Sequence, residues 1–316
     1  MKILVVGGAG YIGGAVTDIL NQKGVDFTVY DNLLYESHYL KPADFIFGDV
    51  RDQDKLKEIL PQYSHVIWLA AIVGDSACQV KPELTKVINQ DTVKWLANNY
   101  DGRIVFMSTC SVYGKNENEV SEDSSLNPLS LYAETKMNAE KFLKDKNSII
   151  FRLGTVYGVS DTYSRIRMDL AVNYMTANAI IKGGLSIFGG SQWRPLIHVR
   201  NVADIIVESL DREERGIYNV STSNYQIKDL GAEIADIVGC KIEYVKESFE
   251  DQRNYRASVE KAQKGGFLDL ENLYEVKDGV NQIKDLIESK RVKYTENDIY
   301  FNIRHVTNLN SNGELK

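Results

Sequence analysis

The stretch "GGAGYIGG", residues 7–14, follows the apolar run "KILVV" and opens a helical pattern that continues to Gln22. Gly7, Gly10 and Gly13 have the spacing GxxGxxG. Glycines at this spacing permit a tight turn, let the backbone approach a pyrophosphate, and let the helix pack closely on the preceding strand. The helix N-terminus offers free N–H groups and a partial positive charge to that pyrophosphate. The stretch therefore predicts a dinucleotide-binding strand, turn and helix; a glycine-rich structural turn is the alternative.

An acidic residue closes the second predicted strand, "DFTVYD". Asp31 lies 24 residues after Gly7, where its carboxylate can accept hydrogen bonds from the ribose hydroxyls of adenosine. A carboxylate there repels a 2′-phosphate, so the sequence favours NAD over NADP. The third run, "DFIFGD", leads into "GDVRD" and puts Asp49 and Val50 where an adenine ring would lie, or else in an ordinary turn.

Short β-rich runs alternate with helical patterns through the first half of the chain. Three more strands are predicted, namely "SHVIWLAA", "GRIVFMST" and "SIIFRLG", with helices over 81–98 and 131–144 among those between them. Continuous apolar strands that alternate with helices indicate a parallel sheet covered on both faces. Right-handed crossovers make it doubly wound. The predicted fold class is α/β, a Rossmann doubly wound parallel sheet with a smaller α/β substrate-binding lobe.

The pattern changes after Gly158. Helices are predicted over 165–182, 227–238 and 276–289, and short strands at "LSIFGG", "RPLIHV" and "KIEYVK". The polar tail after Lys290 has no clear pattern. We expect residues 1–157, with about 186–210, to form an NAD-binding domain, and residues 158–185 with 211–316 to form the substrate lobe.

Composition excludes several classes of protein. A net charge of -7 lacks the positive field of a nucleic-acid binder. No apolar run reaches the length of a membrane span, and the glycine-interrupted start is unlike a signal peptide. Cys78, Cys110 and Cys240 are widely spaced, which indicates reduced thiols in a cytoplasmic protein and neither a disulfide framework nor a metal site.

A strand-end hydroxyl and a tyrosine–lysine pair carry the chemical signal. The fifth predicted strand ends at Thr109, and "LYAETK" holds Tyr132 and Lys136 at i and i+4 on one helix face. An ammonium beside a phenol favours the phenolate, so we expect Lys136 to lower the pKa of Tyr132 toward neutrality. A phenolate can take a proton from an alcohol while hydride leaves for nicotinamide, with Thr109 orienting that alcohol. Alone, YxxxK is equally consistent with a solvent-facing helix pair.

Taken together, these motifs resemble the extended short-chain dehydrogenase/reductase family of nucleotide-sugar epimerases and dehydratases, over nearly the whole chain. The motifs are "GGAGYIGG", Asp31, "GDVRD", "LAA" at 69–71, Asn89, "STCSVYG", "YAETK", "RLGTVYG", "RPLIHVRNVAD" and "DQRNYRAS". The resemblance implies that Thr109 is the catalytic hydroxyl, that Tyr132 is the acid/base, and that Lys136 also binds the nicotinamide ribose. The NAD-binding residues are then expected to be Gly7, Gly10, Tyr11, Ile12, Gly13, Asp31, Asn32, Asp49, Val50, Leu69, Ala70, Ala71, Asn89, Tyr132 and Lys136.

Arginines and loops of the second half supply the expected substrate contacts. Arg194 and Arg253 match family arginines that grip the substrate diphosphate, a task that suits a planar guanidinium. Phe188 stands where the family holds the nucleotide base, although a core aromatic is the alternative. His198 lies in an alternating strand pattern and is expected to be structural.

Residues 110 and 111 bear on the type of reaction. Family dehydratases carry an Asp-Glu pair there, used as acid and base to eliminate water. This chain has Cys110 and Ser111, which argues for alcohol–ketone redox, with or without epimerisation. Cys110 itself is expected to be a small packed thiol.

Three departures from the common family pattern indicate a subgroup of sugar-nucleotide dehydrogenases. They are Thr155 in place of the usual Asn, the loop 74–78, and the segment "SRIRMDLAVN". The last two resemble the GDP-heptose 4-dehydrogenases of capsule biosynthesis. Arg165, Arg167 and Asn173 are then candidate substrate contacts, with helix-entry charges and a polar cap as the alternative.

The resemblance implies an NAD-dependent enzyme that oxidises a ring hydroxyl, expected at C4, of a nucleotide-diphosphate sugar. The sequence favours a 4-dehydrogenase of surface-polysaccharide biosynthesis over a 4-epimerase or a 4-ketoreductase. A non-catalytic NAD-binding sensor or scaffold is the alternative from another class. The family's dimers also imply a homodimer formed through helices around 86–99 and 131–144, whose apolar faces are equally explained by helix–sheet packing.

Overall fold

The computed structural model describes residues 1–163, 165–245 and 253–315. It contains these strands: β1 Ile3–Val6, β2 Phe27–Asp31, β3 Asp44–Phe47, β4 His65–Trp68, β5 Arg103–Thr109, β6 Lys115–Val120, β7 Ser148–Leu153, β8 Thr155–Tyr157, β9 Gly184–Phe188, β10 Trp193–His198, β11 Gly216–Val220, β12 Ser223–Gln226, β13 Lys241–Val245 and β14 Asn254–Ala257. Its α-helices are α1 Tyr11–Gln22, α2 Gln53–Ile59, α3 Asp75–Val80, α4 Pro82–Lys86, α5 Thr92–Asn99, α6 Leu131–Leu143, α7 Ala171–Lys182, α8 Val199–Glu208, α9 Ile227–Val238, α10 Glu260–Lys264, α11 Val276–Glu288 and α12 Asn302–Ser311.

A seven-stranded sheet organises the chain, in the order β11-β7-β5-β4-β1-β2-β3. Every neighbouring pair is parallel. The predicted Rossmann-type doubly wound sheet is therefore confirmed. The strand order reverses between β1 and β4, and in such sheets ligands bind beyond the carboxyl ends of the strands at that point.

Each face of the sheet has its own apolar core, which is why its central strands are continuously hydrophobic. On one face Val16 and Leu20 of α1 pack with Ile206 of α8. On the other face Leu96 of α5 and Leu143 of α6 belong to one apolar cluster. This packing fixes the two helices that matter for the site, α1 behind the glycine turn and α6 with the tyrosine–lysine pair.

The second lobe consists of small sheets and the helices α7, α9 and α11. Strands β12, β10 and β8 form one sheet, while β9 pairs with β13 and β6 pairs with β14. Two expected domain boundaries need correction. Strand β11 is an edge strand of the main sheet, although residues 211–316 were expected in the lobe. Strands β9 and β10 pair outside the main sheet, although residues from about 186 to 210 were expected in the NAD-binding domain.

Three helix predictions also change. The helix expected from Arg165 begins only at Ala171, because residues 165–170 form no regular element and their polar groups bond to other segments. The helix predicted over 81–98 is interrupted by a π-helical turn at Val87–Asp91, a feature that often marks a functional site. The polar tail forms α12, which packs on α3.

No helix within the described part of the chain is long and apolar enough to cross a membrane.

Candidate active site

A large cleft, with a volume of about 1110 Å³, opens at the carboxyl ends of β1, β4, β5 and β7. Its walls come from the residues that directly follow these strands and from the second lobe above them. It therefore lies at the place where the strand order reverses, and the glycine turn and the tyrosine–lysine helix both face it.

The glycine turn forms the floor of the cleft. Gly7 has φ +82°, and a Cβ built on it would lie 2.5 Å from the backbone N of Ala70. A Cβ on Gly13 would lie 2.6 Å from the carbonyl O of Gly7. Side chains at these two positions would collide with backbone, so the glycines keep the N-terminus of α1 open to a ligand.

Asp31 occupies the expected position at the end of β2. Its carboxylate accepts hydrogen bonds from the backbone N–H groups of Ala9, at 3.0 Å, and Leu33, at 2.7 Å. Burial raises its pKa, whereas these hydrogen bonds lower it. The carboxylate is thus held rigidly beside the glycine turn, where it can accept from ribose hydroxyls.

The predicted adenine contacts are only partly on the wall of the cleft. Val50 and Asn32 line it. The carboxylate of Asp49 instead accepts hydrogen bonds from Arg51 and from the Asn32 amide, and this pairing lowers its pKa. Asp49 therefore orders the turn beneath the adenine position, and its side chain is not among the groups lining the cleft.

The remaining expected cofactor residues fall in two layers. Tyr11 and Ile12 line the cleft, as do residues 69–71. Asn89 lies behind that wall in the π-helical turn, 1% exposed, and its amide makes two 2.9 Å hydrogen bonds with the backbone N and O of Ile72. It fixes the loop after β4 from behind and is not among the groups that line the cleft, which corrects its assignment as a direct NAD contact.

The three expected catalytic residues line the cleft together. Thr109 is the last residue of β5, and its hydroxyl accepts a hydrogen bond from the backbone N of Ser111 at 3.1 Å. Tyr132 and Lys136 lie on α6, whose N-terminus is capped by the Ser130 hydroxyl. A strand end and a capped helix therefore bring these groups to one place.

Electrostatics at the pair differ from the sequence prediction. The Lys136 ammonium donates a 2.9 Å hydrogen bond to the carbonyl O of Met107 and lies over the ring of Phe106. Burial lowers its pKa to about 8. Burial also raises the pKa of Tyr132, and the nearby cation that opposes this rise is Arg167. The expectation that Lys136 lowers the pKa of Tyr132 toward neutrality is therefore wrong for this structure.

The position after the catalytic hydroxyl is a packed thiol, as expected. Cys110 is fully buried, its Sγ donates to the carbonyl O of Arg152 at 3.2 Å, and burial raises its pKa. Ser111 faces the cleft instead, 3.3 Å from the hydroxyl of Tyr255. Tyr255 was not singled out from the sequence, although it stands inside the motif "DQRNYRAS".

The expected substrate residues Thr155, Phe188, Arg194 and Arg253 all line the cleft. Phe188 is 44% exposed, which excludes the alternative of a core aromatic. Arg194 donates to the carbonyl O of Arg253, and Arg253 forms a 2.7 Å ion pair with Asp75 across the cleft. Asp75 was missed because an acid at a helix start usually serves only as a cap.

The other second-half candidates divide between the cleft and the core. Arg165 and Arg167 line the cleft. Asn173 does not, which corrects its assignment as a substrate contact: it is fully buried, and its amide bonds to the backbone N and O of Gly158 and to the O of Arg167. His198 is buried and structural, as predicted.

Comparison with known proteins agrees with this geometry. The profile described as "NAD dependent epimerase/dehydratase family" matches residues 3–221. The UDP-glucose 4-epimerase of Rhizobium meliloti is 29% identical over 252 residues, which is 66% of this chain and 72% of that one. The UDP-glucose 4-epimerase of Lactobacillus helveticus is 29% identical over 282 residues, 75% of this chain and 82% of that one.

Among solved structures, MoeE5 in complex with UDP-glucose and NAD is similar to this chain, with a TM-score of 0.76 and 25% identity. The similarity covers 92% of this chain and 100% of MoeE5.

Proposed function

The chain belongs to the NAD dependent epimerase/dehydratase family, and from this premise we propose that it is a nucleotide-sugar 4-epimerase. It would oxidise the C4 hydroxyl of a nucleotide-diphosphate sugar and reduce the resulting ketone from the other side. The observation that carries the proposal is that Thr109, Tyr132 and Lys136 share one cleft with the glycine turn. Arg194 and Arg253 line the same cleft.

The residues present fit the family's cofactor. The floor of the cleft has no room for a Cβ at Gly7 or Gly13, as a backbone that approaches a pyrophosphate requires. The Asp31 carboxylate is suited to ribose hydroxyls and not to a 2′-phosphate. When bound, NAD supplies the acceptor and the later donor of hydride.

Proton transfer falls to Tyr132. Its phenolic oxygen takes the proton of the C4 hydroxyl during oxidation and returns a proton during reduction. Thr109, held by the Ser111 N–H, orients the sugar hydroxyl by a hydrogen bond. Lys136, fixed on the Met107 carbonyl, binds the nicotinamide ribose and supplies positive charge to the neighbourhood of the reacting oxygen.

Substrate anchoring falls to the second lobe. Arg194 and Arg253 present guanidinium groups that suit a diphosphate, and Phe188 offers an exposed ring beside which a base can stack. An anchor at the diphosphate leaves the sugar free to turn between oxidation and reduction. Because the similar epimerases act on UDP-glucose, uridine is the proposed base.

A 4-epimerase thus replaces the 4-dehydrogenase that we predicted from the sequence. The matched relatives named as 4-epimerases favour the alternative reading. The dehydrogenase remains the second candidate on one specific observation: Gly74, Asp75, Arg165 and Arg167, from the two segments that resemble the heptose dehydrogenases, all face the cleft. A non-catalytic NAD-binding protein would have no need of the complete Thr109, Tyr132 and Lys136 set.

The test is incubation of the purified protein with UDP-glucose, UDP-galactose and a GDP-heptose, while nicotinamide absorbance and product mass are followed together. An epimerase yields a sugar of unchanged mass and altered configuration, without net NADH. A product two hydrogens lighter, with stoichiometric NADH, would overturn the epimerase in favour of the dehydrogenase. Recovery of every substrate unchanged would overturn both.

We also propose a homodimer formed through α5 and α6, as the family resemblance implies. Light scattering on the eluted protein would give twice the 35.7 kDa chain mass. A mass equal to one chain would contradict it.

A further inference from the structure

The segment of residues 165–170, here called the arginine segment, belongs to the second lobe in sequence but is anchored to the cofactor side of the cleft. The backbone N of Arg165 donates to the Glu36 carboxylate at 2.5 Å, and Glu36 lies in the loop that follows Asp31. At its other end, the Asp169 carboxylate accepts a 2.9 Å hydrogen bond from the backbone N of Asn302. The segment therefore spans the cleft mouth between the loop after β2 and the start of α12.

The side chain of Arg167 lies against the glycine turn. Its guanidinium is 5.8 Å from the ring centroid of Tyr11, the first residue of α1. The Tyr11 hydroxyl in turn donates to the carbonyl O of Gly158 at 2.7 Å, so the ring is fixed. Arg167 thus stands next to the helix N-terminus on which a pyrophosphate would be bound.

Part of the Arg167 guanidinium is already held in place. Its Nε donates to Asp169 at 2.8 Å and its Nη2 does so at 3.1 Å. Within the described residues, Nη1 makes no hydrogen bond. A guanidinium whose Nε and Nη2 are bound to a carboxylate can still donate hydrogen bonds from Nη1 to a phosphate oxygen.

The charge of Arg167 also acts on tyrosines that line the cleft. Burial raises the pKa of three phenols that line the cleft, those of Tyr11, Tyr35 and Tyr132, and the charge of Arg167 opposes that rise in each. One belongs to the glycine turn, one to the adenosine side and one to the reaction centre. Arg167 is thus close enough to all three rings to act on them electrostatically.

Arg165 adds a second positive charge on the adenosine side. Its guanidinium lies over the ring of Tyr35, at 4.5 Å, and donates to the carbonyl O of Ile299 and to the Asn302 amide. These hydrogen-bond partners are neutral, so they fix the guanidinium without cancelling its charge. Asp169 and Glu36 are the acids beside the two arginines, and burial raises the pKa of Glu36 to about 7, so these acids offset only part of the positive charge near neutral pH.

The expected substrate arginines have different surroundings. Arg194 and Arg253 come from β10 and from the residue before β14, and they contact each other and Asp75. Among the described residues, no cofactor-side aromatic ring is recorded beneath either of these guanidinium groups. Of the five arginines that line the cleft, Arg165 with Arg167 and Arg194 with Arg253 therefore form two groups with different contacts.

We propose that Arg167, supported by Arg165, binds the pyrophosphate of the dinucleotide, and that the arginine segment retains the cofactor in the cleft. This assignment moves both residues from the substrate to the cofactor. It rests on the proposed function only in that the cleft binds both NAD and a nucleotide sugar.

The test is cofactor exchange and not turnover. The protein is loaded with NADH, chased with excess NAD, and the decay of NADH fluorescence gives the release rate; affinity for UDP is measured separately by calorimetry. Loss of one charge-assisted contact changes an equilibrium by about tenfold or more. We expect R167Q to speed NADH release at least tenfold while leaving UDP affinity within about twofold, and R167K to restore part of the retention.

The matched control is R194Q, an arginine of the other pair. It should leave NADH release within about twofold of the wild type and weaken UDP at least tenfold. Release from R167Q at the wild-type rate, in a variant with wild-type melting behaviour, would overturn the assignment. So would equal weakening of UDP and NADH by R167Q.

Failure of the proposed function is distinguishable from failure of this inference. If the wild type converts no nucleotide sugar but R167Q releases NADH faster than the wild type does, the epimerase proposal is wrong and the arginine assignment stands. An active wild type with unaltered release in R167Q would do the reverse.

Discussion

The Nζ atom of Lys136 lies 2.9 Å from the carbonyl O of Met107, two residues before Thr109 on β5. This hydrogen bond ties the helix that carries the tyrosine to the strand that carries the hydroxyl. Because the bond is buried, it fixes the relative position of the two elements. Lys136 thus has a structural part in the site in addition to the ribose contact that we propose for it.

Removal of the Tyr132 hydroxyl should abolish proton transfer while leaving the cleft intact. We expect Tyr132→Phe to lower kcat by about 10²- to 10⁴-fold, the usual range for general acid–base catalysis. The measurement is epimerisation of UDP-glucose, with NADH binding and melting temperature recorded in parallel. Tyr244→Phe, at a tyrosine that is 61% exposed and outside the cleft, is the matched control. Turnover within a few-fold of wild type in Tyr132→Phe would remove Tyr132 from the mechanism.

The rate of sugar oxidation should rise with pH through the neutral range. Burial raises the pKa of Tyr132, so the phenol dominates at pH 7 and the basic form increases about tenfold per pH unit. Lys136, with a pKa of about 8, is charged below that pH and loses its charge above it. Single-turnover NADH formation should therefore rise with pH and change slope near pH 8, and Lys136→Met should remove that change of slope. A flat profile between pH 6 and 9 in the wild type would contradict Tyr132 as the base.

The positions of several residues in the cleft follow from local sequence alone. The glycine turn, Asp31 and the strand-end Thr109 each depend on a few neighbouring residues in a strand–turn–helix pattern, and periodicity makes that pattern visible. Phe188 and Arg194 likewise lie on short strands that the sequence indicated.

The features that we did not predict from the sequence depend on contacts between distant segments. Strand β11 joins the main sheet by pairing with β7, and the paired residues Gly216 and Ile149 are 67 positions apart in the sequence. Asn173 follows an arginine-rich stretch and looks like a ligand-binding residue, yet it is used to hold Gly158. The pKa of Tyr132 depends on burial by both lobes, and spacing on one helix carries no information about that.

A methyl group at Gly7 should abolish cofactor binding. Its Cβ would lie 2.5 Å from the backbone N of Ala70, and the backbone has φ +82°. We expect Gly7→Ala to weaken NADH affinity by on the order of a hundredfold or more, because the turn must open and withdraw its N–H groups. Fluorescence titration with NADH measures the change.

Gly24→Ala is the matched control for that substitution. Gly24 also has a positive φ, +63°, but a Cβ there meets nothing within 4 Å. It should cost about 1 kcal/mol of stability through backbone strain and leave NADH affinity unchanged. Equal losses of affinity in the two variants would show that strain in general, and not the space at the turn, governs binding.

The buried His198 should make the fold sensitive to acid. Its Nδ1 accepts a hydrogen bond from the backbone N of Arg200 at 3.1 Å, so the proton sits on Nε2, which donates to the Gln282 side chain at 2.9 Å. A second proton on Nδ1 would break the bond to Arg200 without a replacement. Burial lowers the pKa of His198 from 6.5 to about 4.

The sign follows from where the proton binds. Between pH 6.5 and 4 the unfolded chain takes up a proton at this histidine and the folded chain does not, so stability falls as the pH falls. The full loss is about 3 kcal/mol, at roughly 1.4 kcal/mol per pKa unit. Glu36, whose pKa burial raises to about 7, acts in the opposite direction.

The measurement is therefore the difference in free energy of unfolding between wild type and His198→Gln, obtained with urea at several pH values. We expect the destabilisation caused by His198→Gln to shrink steadily from pH 7 to pH 4, because only the wild type loses the histidine contribution. A difference that stays constant over this range would mean that His198 is already protonated in the folded protein, or that it is exposed to water.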